Sequence, residues 1–192
     1  ITLFCILTVS ANRDWRDDEV FYAKAIRNNP AHAGGHLGLA EHLARTGRTR
    51  EALDRYTAAL PYASREERAG AYDKMAILAA ETGDLESSAR YFRQELELRP
   101  ASSGALTGLG NVHLLKKEYQ AALGYYQAAV RAAPGNAEAW YNAARTYELL
   151  GDHAGARSSY RQFLAHASPG RYRDLMQQVA RQLEQGSAGR NR

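Results

Sequence analysis

The chain has 192 residues, which is long enough for one well-buried domain or for an array of small units. Its hydrophobic content of 45% and its five prolines exclude an intrinsically disordered chain. The 25 Lys and Arg residues nearly balance 21 Asp and Glu residues and are interspersed with them, which argues against a nucleic-acid-binding protein. Cys5 is the only cysteine, so an intramolecular disulfide and a multi-cysteine metal site are excluded.

The chain opens on nine mostly apolar residues, "ITLFCILTV". A helix that crosses a membrane needs about 20 apolar residues, so two interpretations stay open for residues 1–10. They are the outgoing end of a truncated membrane helix, or a short helix that covers the edge of the elements that follow. Arg13, Trp15 and Arg16 resemble an interfacial anchor, which favours the membrane helix.

Residues 11–30 are predicted to contain one amphipathic helix that ends before Pro30. The stretch "WRDDEVFYAKAIRNNP" places Trp15, Tyr22 and Ala25 in a helical pattern. Asp17 and Asp18 come near the start of this helix, where the helix dipole favours acidic residues. We therefore interpret the two carboxylates as structural rather than catalytic.

A repeated pattern follows, in segments 36, 34 and 34 residues apart. In each segment a small residue is followed four positions later by an aromatic residue and four further on by an aliphatic one, which defines one face of an α-helix. The twelve positions are Ala52, Tyr56, Leu60, Ser88, Phe92, Leu96, Ala122, Tyr126, Val130, Ala156, Tyr160 and Leu164.

Each of these helices is preceded by another amphipathic helix, so each unit is predicted to be a helix hairpin. Gly47, Gly83 and Gly151 lie where the first helix ends and a residue with positive φ is favoured. Asp84 and Asp152 are then predicted to cap the second helix. Small residues are expected where the two helices cross, and the predicted pairs are Ala40 with Ala52, Ala76 with Ser88, Gly110 with Ala122 and Ala144 with Ala156.

These residues resemble the tetratricopeptide repeat (TPR). The resemblance rests on the 34-residue spacing, the Trp/Leu/Gly/Tyr face of the first helix, the Ala/Tyr/Ala face of the second, and the closing Pro100 and Pro134. It implies an all-α fold, a right-handed superhelical array of antiparallel helix hairpins, or TPR solenoid. Four repeats are expected within residues 31–169, at about 33–66, 69–102, 103–136 and 137–169.

The resemblance also covers the ends of the array. Residues 11–30 become the second helix of an incomplete unit, and residues 170–186 resemble the solvating helix that caps such arrays. Residues 187–192 are predicted to be a disordered tail. In the second repeat, "SREERAGAY" adds two residues, which are expected to lengthen its first helix with a capping box between Ser64 and Glu67.

No catalytic constellation is recognisable, and we predict neither an enzyme nor a cofactor. The "GLGN" stretch at Gly108 and the "GGH" stretch at Gly34 lack the Lys and Ser/Thr of a phosphate-binding loop. His32 and His36 have helical spacing, but a zinc site needs three or four convergent ligands. Because His36 and His113 occupy core-facing repeat positions, we predict no metal site.

In the TPR family the first helices line a concave surface, and the resemblance implies that a protein or peptide partner binds there. The predicted groove residues are Leu37, Glu41, Asp73, Ile77, Thr107, Asn111, Leu114, Tyr141, Asn142 and Arg145. Asn111, Tyr141, Asn142 and Arg145 are the best candidates for holding an extended peptide, and an unused solvated face is the alternative for each. Some TPR arrays bind the acidic C-termini of chaperones through a clamp of Lys, Asn and Arg residues on this face. Here Leu37 and Glu41 stand where the first Lys and Asn of that clamp would be, which argues against a chaperone C-terminus as the partner.

The function expected from these features is a non-catalytic protein-interaction scaffold in a membrane-anchored assembly. Its repeats would lie outside the cytoplasm, in the periplasm, and its exposed array ends would allow a homodimer. An alternative stays open, because the junction "ANRDWRDDEVFYAKAIRNNPAHAGGHLGLAEHLARTGR" is similar to multi-pass membrane proteins allied to the transmembrane O-mannosyltransferases. That similarity implies the accessory C-terminal TPR region of a membrane glycosyltransferase.

Overall fold

The computed structural model describes residues 18–188, with side chains described as far as residue 185. The predictions for residues 1–10, for Arg13, Trp15, Arg16 and Asp17, and for the last residues of the tail lie outside this range. Every regular element between residues 18 and 188 is an α-helix, as the repeat pattern predicted. None of the described helices is long and apolar enough to span a membrane.

The helices fall into two compact units that are divided after Asp84. Unit 1 contains α1 (residues 18–28), α2 (Ala33–Arg45), α3 (Thr49–Ala59) and α4 (Arg65–Glu81). Unit 2 contains α5 (Leu85–Leu98), α6 (Ser103–Leu115), α7 (Tyr119–Ala132), α8 (Ala137–Leu149), α9 (His153–His166) and α10 (Pro169–Ala188). The division falls inside the second predicted repeat, so α4 and α5 belong to different units.

Helix hairpins form the framework of each unit. In unit 1, α2 packs on α3, and in unit 2, α6 packs on α7 and α8 packs on α9. The small residues predicted at the crossings are buried, including Ala40 and Ala52 in unit 1 and Ala122 and Ala144 in unit 2. A Cβ atom added at Gly110 would overlap the ring of Tyr126. Small side chains at these positions therefore allow the paired helices to approach each other closely.

The ends of the first helices confirm the predicted glycine turns and add one that the sequence did not reveal. Gly47, Gly83 and Gly151 have φ values of +78°, +80° and +76°. The corresponding turn after α6 has no glycine, and Lys117 takes the left-handed conformation there with φ of +61°. The hydrogen-bond pattern of the turn is thus kept while the residue type changes.

Side-chain caps define several helix starts. Asp152 Oδ1 accepts hydrogen bonds from the backbone N–H groups of Ala154 and Gly155, as predicted for α9. Ser64 and Glu67 form the predicted capping box at the start of α4. This helix has 17 residues where α2, α6 and α8 have 13, so the insertion lengthens it. The cap predicted at Asp84 stays a prediction.

The buried face of the second helices differs from the predicted one by one residue at its C-terminal end. The positions seven residues after the small residue are buried, and they are Ala59, Glu95, Ala129 and Phe163. At the predicted eighth position Val130 is buried, whereas Leu60, Leu96 and Leu164 are only partly buried. With 3.6 residues per turn, two turns take 7.2 residues, so the seventh position stays closer to the centre of the buried face.

The first and the last of the described helices each pack on the neighbouring helix. Tyr22 of α1 lies over Gly38 of α2 in the way that Phe92 of α5 lies over Gly108 of α6, since a Cβ atom at either glycine would overlap the ring. At the other end, α10 packs on α9 and buries Val179 against Phe163. A non-helical residue, Tyr172, kinks α10 near its start.

Candidate functional site

The predicted groove residues all lie on α2, α4, α6 and α8, the first helices of the repeats. In unit 1 the half-buried Leu37 and the exposed Glu41 belong to α2, while the half-buried Asp73 and the 40%-exposed Ile77 belong to α4. Burial, followed by the negative charges of Glu41 and Asp73, raises the pKa of Tyr56 to about 12. Asp73 is also paired with Lys74, whose Nζ lies 3.8 Å from Asp73 Oδ2.

In unit 2 the structure brings two of the predicted residues into direct contact. Asn111 Oδ1 on α6 accepts one hydrogen bond from the hydroxyl of Tyr126 at 2.7 Å and another from Asn142 Nδ2 on α8 at 2.9 Å. Tyr126 is fully buried, and this burial raises its pKa well above the ordinary value, so the hydroxyl stays protonated as a donor. A buried tyrosine therefore orients an amide pair that bridges two neighbouring helices.

The amide pair has hydrogen-bonding groups to spare. Among the described residues, the Asn111 Nδ2 group and the Asn142 Oδ1 atom take no part in these bonds. An amide N–H donates and an amide oxygen accepts, which are the two functions that a peptide main chain can match. Both side chains are partly exposed, so the pair can meet another polypeptide.

Exposed leucines and one arginine flank the amide pair. Leu115, at the end of α6, is 62% exposed, and Leu149, at the end of α8, is 54% exposed. Arg145 is exposed on α8, one turn after the amide pair, whereas Leu114 is partly buried and packs against the cluster that contains Tyr126. Leu149 was missed by the sequence prediction, although its position 34 residues after Leu115 could have identified it. We call Asn111, Leu115, Asn142, Arg145 and Leu149 the α6/α8 surface.

Like Leu114, two further predicted groove residues of unit 2 have roles inside the protein. Thr107 is buried; its hydroxyl donates to the Ser103 carbonyl at 2.8 Å and accepts from Asn136 Nδ2 at 3.0 Å. It fastens α6 to the start of α8, so its side chain does not line an open surface. Tyr141 is half-buried because its ring packs against the rings of Tyr160 and Phe163, with centroids 5.9 and 5.3 Å away.

The histidines that share helical spacing have structural partners. His32 Nδ1 accepts from the backbone N–H of Gly35 and caps α2. The buried His36 donates through Nε2 to the Pro30 carbonyl at 3.0 Å. Within the described range, no group of three or more His, Cys, Asp and Glu side chains could hold a metal ion.

Family comparison agrees with this arrangement of hairpins. A model of the tetratricopeptide repeat matches residues 20–73 and 74–137, and a second tetratricopeptide-repeat model matches residues 113–179. The chain belongs to the tetratricopeptide-repeat family. None of the curated protein sequences matches this TPR chain.

Solved structures of other TPR proteins have the same fold at low sequence identity. MamA is 18% identical with a TM-score of 0.72, over 82% of this chain and 91% of MamA. YrrB, described as a TPR protein with an unusual peptide-binding site, is 19% identical with a TM-score of 0.66, over 83% of this chain and 81% of YrrB. A chain of the APC/C hetero-tetramer Cut9–Hcn1 is 19% identical with a TM-score of 0.63, over 81% of this chain and 30% of that one. At these identities the likeness concerns the fold alone.

Proposed function

We propose that this TPR protein is a non-catalytic interaction scaffold that holds an extended segment of a partner protein on the α6/α8 surface. The observation that carries the proposal is the amide pair, in which Asn111 and Asn142 are joined at 2.9 Å and oriented by the buried Tyr126. Rigid polar groups that need no rearrangement before binding lose less conformational entropy when a partner arrives. The TPR fold and its peptide-binding and complex-forming structural neighbours support a role in protein interaction.

The chemistry of the surface indicates what it would hold. The Asn111 Nδ2 group would donate to a main-chain carbonyl, and the Asn142 Oδ1 atom would accept from a main-chain N–H. Each such bond contributes about 0.5–1.5 kcal/mol. Leu115 and Leu149 would contact an apolar side chain of the partner, while Arg145 would attract an acidic one. A partner segment that combines an apolar and an acidic residue in an extended conformation fits these groups.

The test is a peptide-array screen of the full chain, repeated with Asn142→Ala and with Arg145→Ala. Asn142→Ala should weaken every peptide that the chain binds, because it removes a contact to the main chain. Arg145→Ala should weaken only peptides with an acidic residue. Arg131→Ala is the matched control, because Arg131 is an exposed cation on α7 and is not one of the residues of the α6/α8 surface. Binding that is unchanged in both test variants, or that is reduced only by Arg131→Ala, would contradict the proposal.

Membrane anchoring, a periplasmic location and the glycosyltransferase alternative stay predictions, since they depend on the opening apolar residues 1–10 and on a junction whose first residues, 11–17, also lie outside the described range. The coding sequence upstream of Ile1 would distinguish them. Several hydrophobic spans with an acidic loop would favour the glycosyltransferase, whereas one span after a short basic segment would favour an anchored scaffold. The homodimer through array ends also stays a prediction, which sedimentation of the full chain would test.

A further inference from the structure

Unit 2 contains a cavity of about 420 Å³ beside α9 and the C-terminal half of α10. Ala156, Tyr160 and Leu183 supply apolar surface to its lining. Arg157 and His153, which are one helical turn apart on α9, supply nitrogen donors to the same lining. A volume of this size is typical of cavities that bind small molecules. The cavity therefore combines an apolar wall with a positive charge.

Arg157 occupies a repeat position at which the other second helices have apolar residues. Its counterparts are Leu53 of α3, Ala89 of α5 and Leu123 of α7. Ala89 and Leu123 are buried, and Leu123 belongs to an apolar cluster of the third repeat. The packing of the repeat alone therefore favours an aliphatic side chain at position 157, and the guanidinium there needs another explanation.

The positive charge of Arg157 has no counter-charge among the described residues. Arg157 is partly buried, and no described carboxylate lies within ion-pair distance of it. Glu148 lines the same cavity, but its carboxylate is engaged elsewhere, because it accepts hydrogen bonds from the Tyr160 hydroxyl at 2.9 Å and from Gln182 Nε2. Charges that are taken out of water in proteins are normally paired. An anion in the cavity would supply the missing partner.

We propose that this cavity binds a small organic monocarboxylate with an aliphatic or aromatic body. The carboxylate pairs with Arg157, because a guanidinium can donate two parallel hydrogen bonds to an anion of that shape. The body lies against Ala156, Tyr160 and Leu183. The negative charge of Glu148 in the same lining repels a second anionic group, so a dicarboxylate binds less well. None of these residues belongs to the α6/α8 surface, and the proposal does not depend on peptide binding there.

The experiment uses 3-phenylpropionate as the probe and ¹⁵N-labelled full chain as the receptor, observed by two-dimensional NMR. We expect saturable shifts in the backbone resonances of Ala156 and Leu183. The uncharged 3-phenylpropanamide has the same shape and should bind about tenfold more weakly, because it cannot form the charged pair with Arg157. Acetate has the charge without the apolar body and should also bind more weakly than the probe.

Arg157→Leu gives α9 the residue that α7 has at Leu123, so the variant is expected to fold. It should weaken binding of 3-phenylpropionate by about tenfold and leave binding of the amide little changed. The matched control is Arg161→Leu, which removes an exposed cation one turn later on α9 and should leave probe binding unchanged. If Arg157→Leu does not fold, Arg157→Gln removes the charge with a smaller change of shape.

Three results would overturn the proposal. The first is the absence of saturable shifts at Ala156 and Leu183 in the unsubstituted chain. The second is equal binding of 3-phenylpropionate and its amide. The third is probe binding that survives a folded Arg157→Leu or Arg157→Gln variant, or that falls as much in Arg161→Leu.

Discussion

At the scale of single residues, Lys117 is the clearest departure from the repeat pattern. Its N–H donates to the Leu114 carbonyl, and the N–H of Glu118 donates to the His113 carbonyl, which matches the bonds that Gly47 and Arg48 make after α2. The turn therefore needs a positive φ whatever residue occupies it, +61° at Lys117 and +76° to +80° at the three glycines. For a residue with a Cβ atom the left-handed conformation costs about 1–2 kcal/mol. The third repeat therefore has a strained turn at the position where the other three repeats have glycine.

We predict that Lys117→Gly stabilises unit 2, raising its free energy of unfolding by about 1 kcal/mol, because glycine adopts positive φ without a steric cost. Urea denaturation followed by circular dichroism would measure the change. Lys117→Ala is the control: it also removes the exposed charge but keeps the Cβ atom, so it should give little stabilisation. Equal midpoints for the glycine and alanine variants would show that the turn is not strained.

The buried tyrosines predict loss of stability at alkaline pH. Burial, Glu41 and Asp73 raise the pKa of Tyr56 to about 12 in the folded chain, against about 10 when unfolded. The raised value favours the neutral phenol, so the stabilisation is fully present below about pH 10 and is lost as the pH rises towards 12.

Tyr56→Phe should therefore reduce the fall in the free energy of unfolding of unit 1 between about pH 10 and 12, as measured by urea titrations at several pH values. Tyr62→Phe is the control, since Tyr62 is 52% exposed and its hydroxyl stays in water in both states. If the two variants lose stability with the same slope as the unsubstituted chain, the carboxylates and burial around Tyr56 do not control its ionisation.

At the scale of helices, the crossings of the hairpins explain why small residues recur. Ala122 is fully buried in a cluster with Leu123, Tyr126 and the packed Tyr147 side chain. Its counterpart Ala156 lines a cavity beside α9 and α10. The two alanines occupy equivalent repeat positions but differ in the empty volume beside their side chains.

Ala122→Leu should therefore destabilise unit 2 by roughly 1–3 kcal/mol, because the added atoms overpack a closed contact. Ala156→Leu should cost clearly less, since its side chain can extend into the cavity. Chemical denaturation of the two variants in parallel gives the comparison. A larger loss for Ala156→Leu than for Ala122→Leu would mean that the cavity is not accessible from α9.

Local patterns predicted the helices and their turns well, whereas partner binding by the predicted groove residues stays a prediction, and the structure shows only where each side chain lies. Glycine turns and the capping box depend on residues a few positions apart, and those signals are visible in the sequence. Asn111 and Asn142 were correctly placed on neighbouring helices, but the bond that joins them was not foreseen. Thr107 was wrongly expected to be open, because its burial depends on Asn136, a residue 29 positions later.

At the scale of the whole molecule, the array must close its apolar interior at its ends. In unit 2 this closure comes from α10, which covers Phe163 and Tyr160 with Val179 and the partly buried Leu175 and Met176. Its outward residues Asp174, Gln177, Gln178 and Arg181 are exposed and polar. The helix therefore replaces a further repeat by a solvated surface.

A chain truncated after Ser168 should lose much of the stability of unit 2, since exposing each large apolar side chain costs about 1.5–3 kcal/mol. Thermal unfolding followed by circular dichroism, together with binding of a hydrophobic dye, would report the loss. A chain that ends at Ala188 is the control and should match the full chain. A truncated chain that melts like the full one would show that α10 is not a cap.

The sequence by itself determined the family, the helix hairpins, the positions of most turns and the small residues at the crossings, because these depend on spacings of a few residues repeated about every 34 positions. The tertiary structure decided which polar groups meet and which spaces stay open. The Asn111–Asn142 pair and the cavity beside Gln182 arise between neighbouring helices. Their chemistry depends on residues about 30 positions apart in the chain, which no local pattern connects.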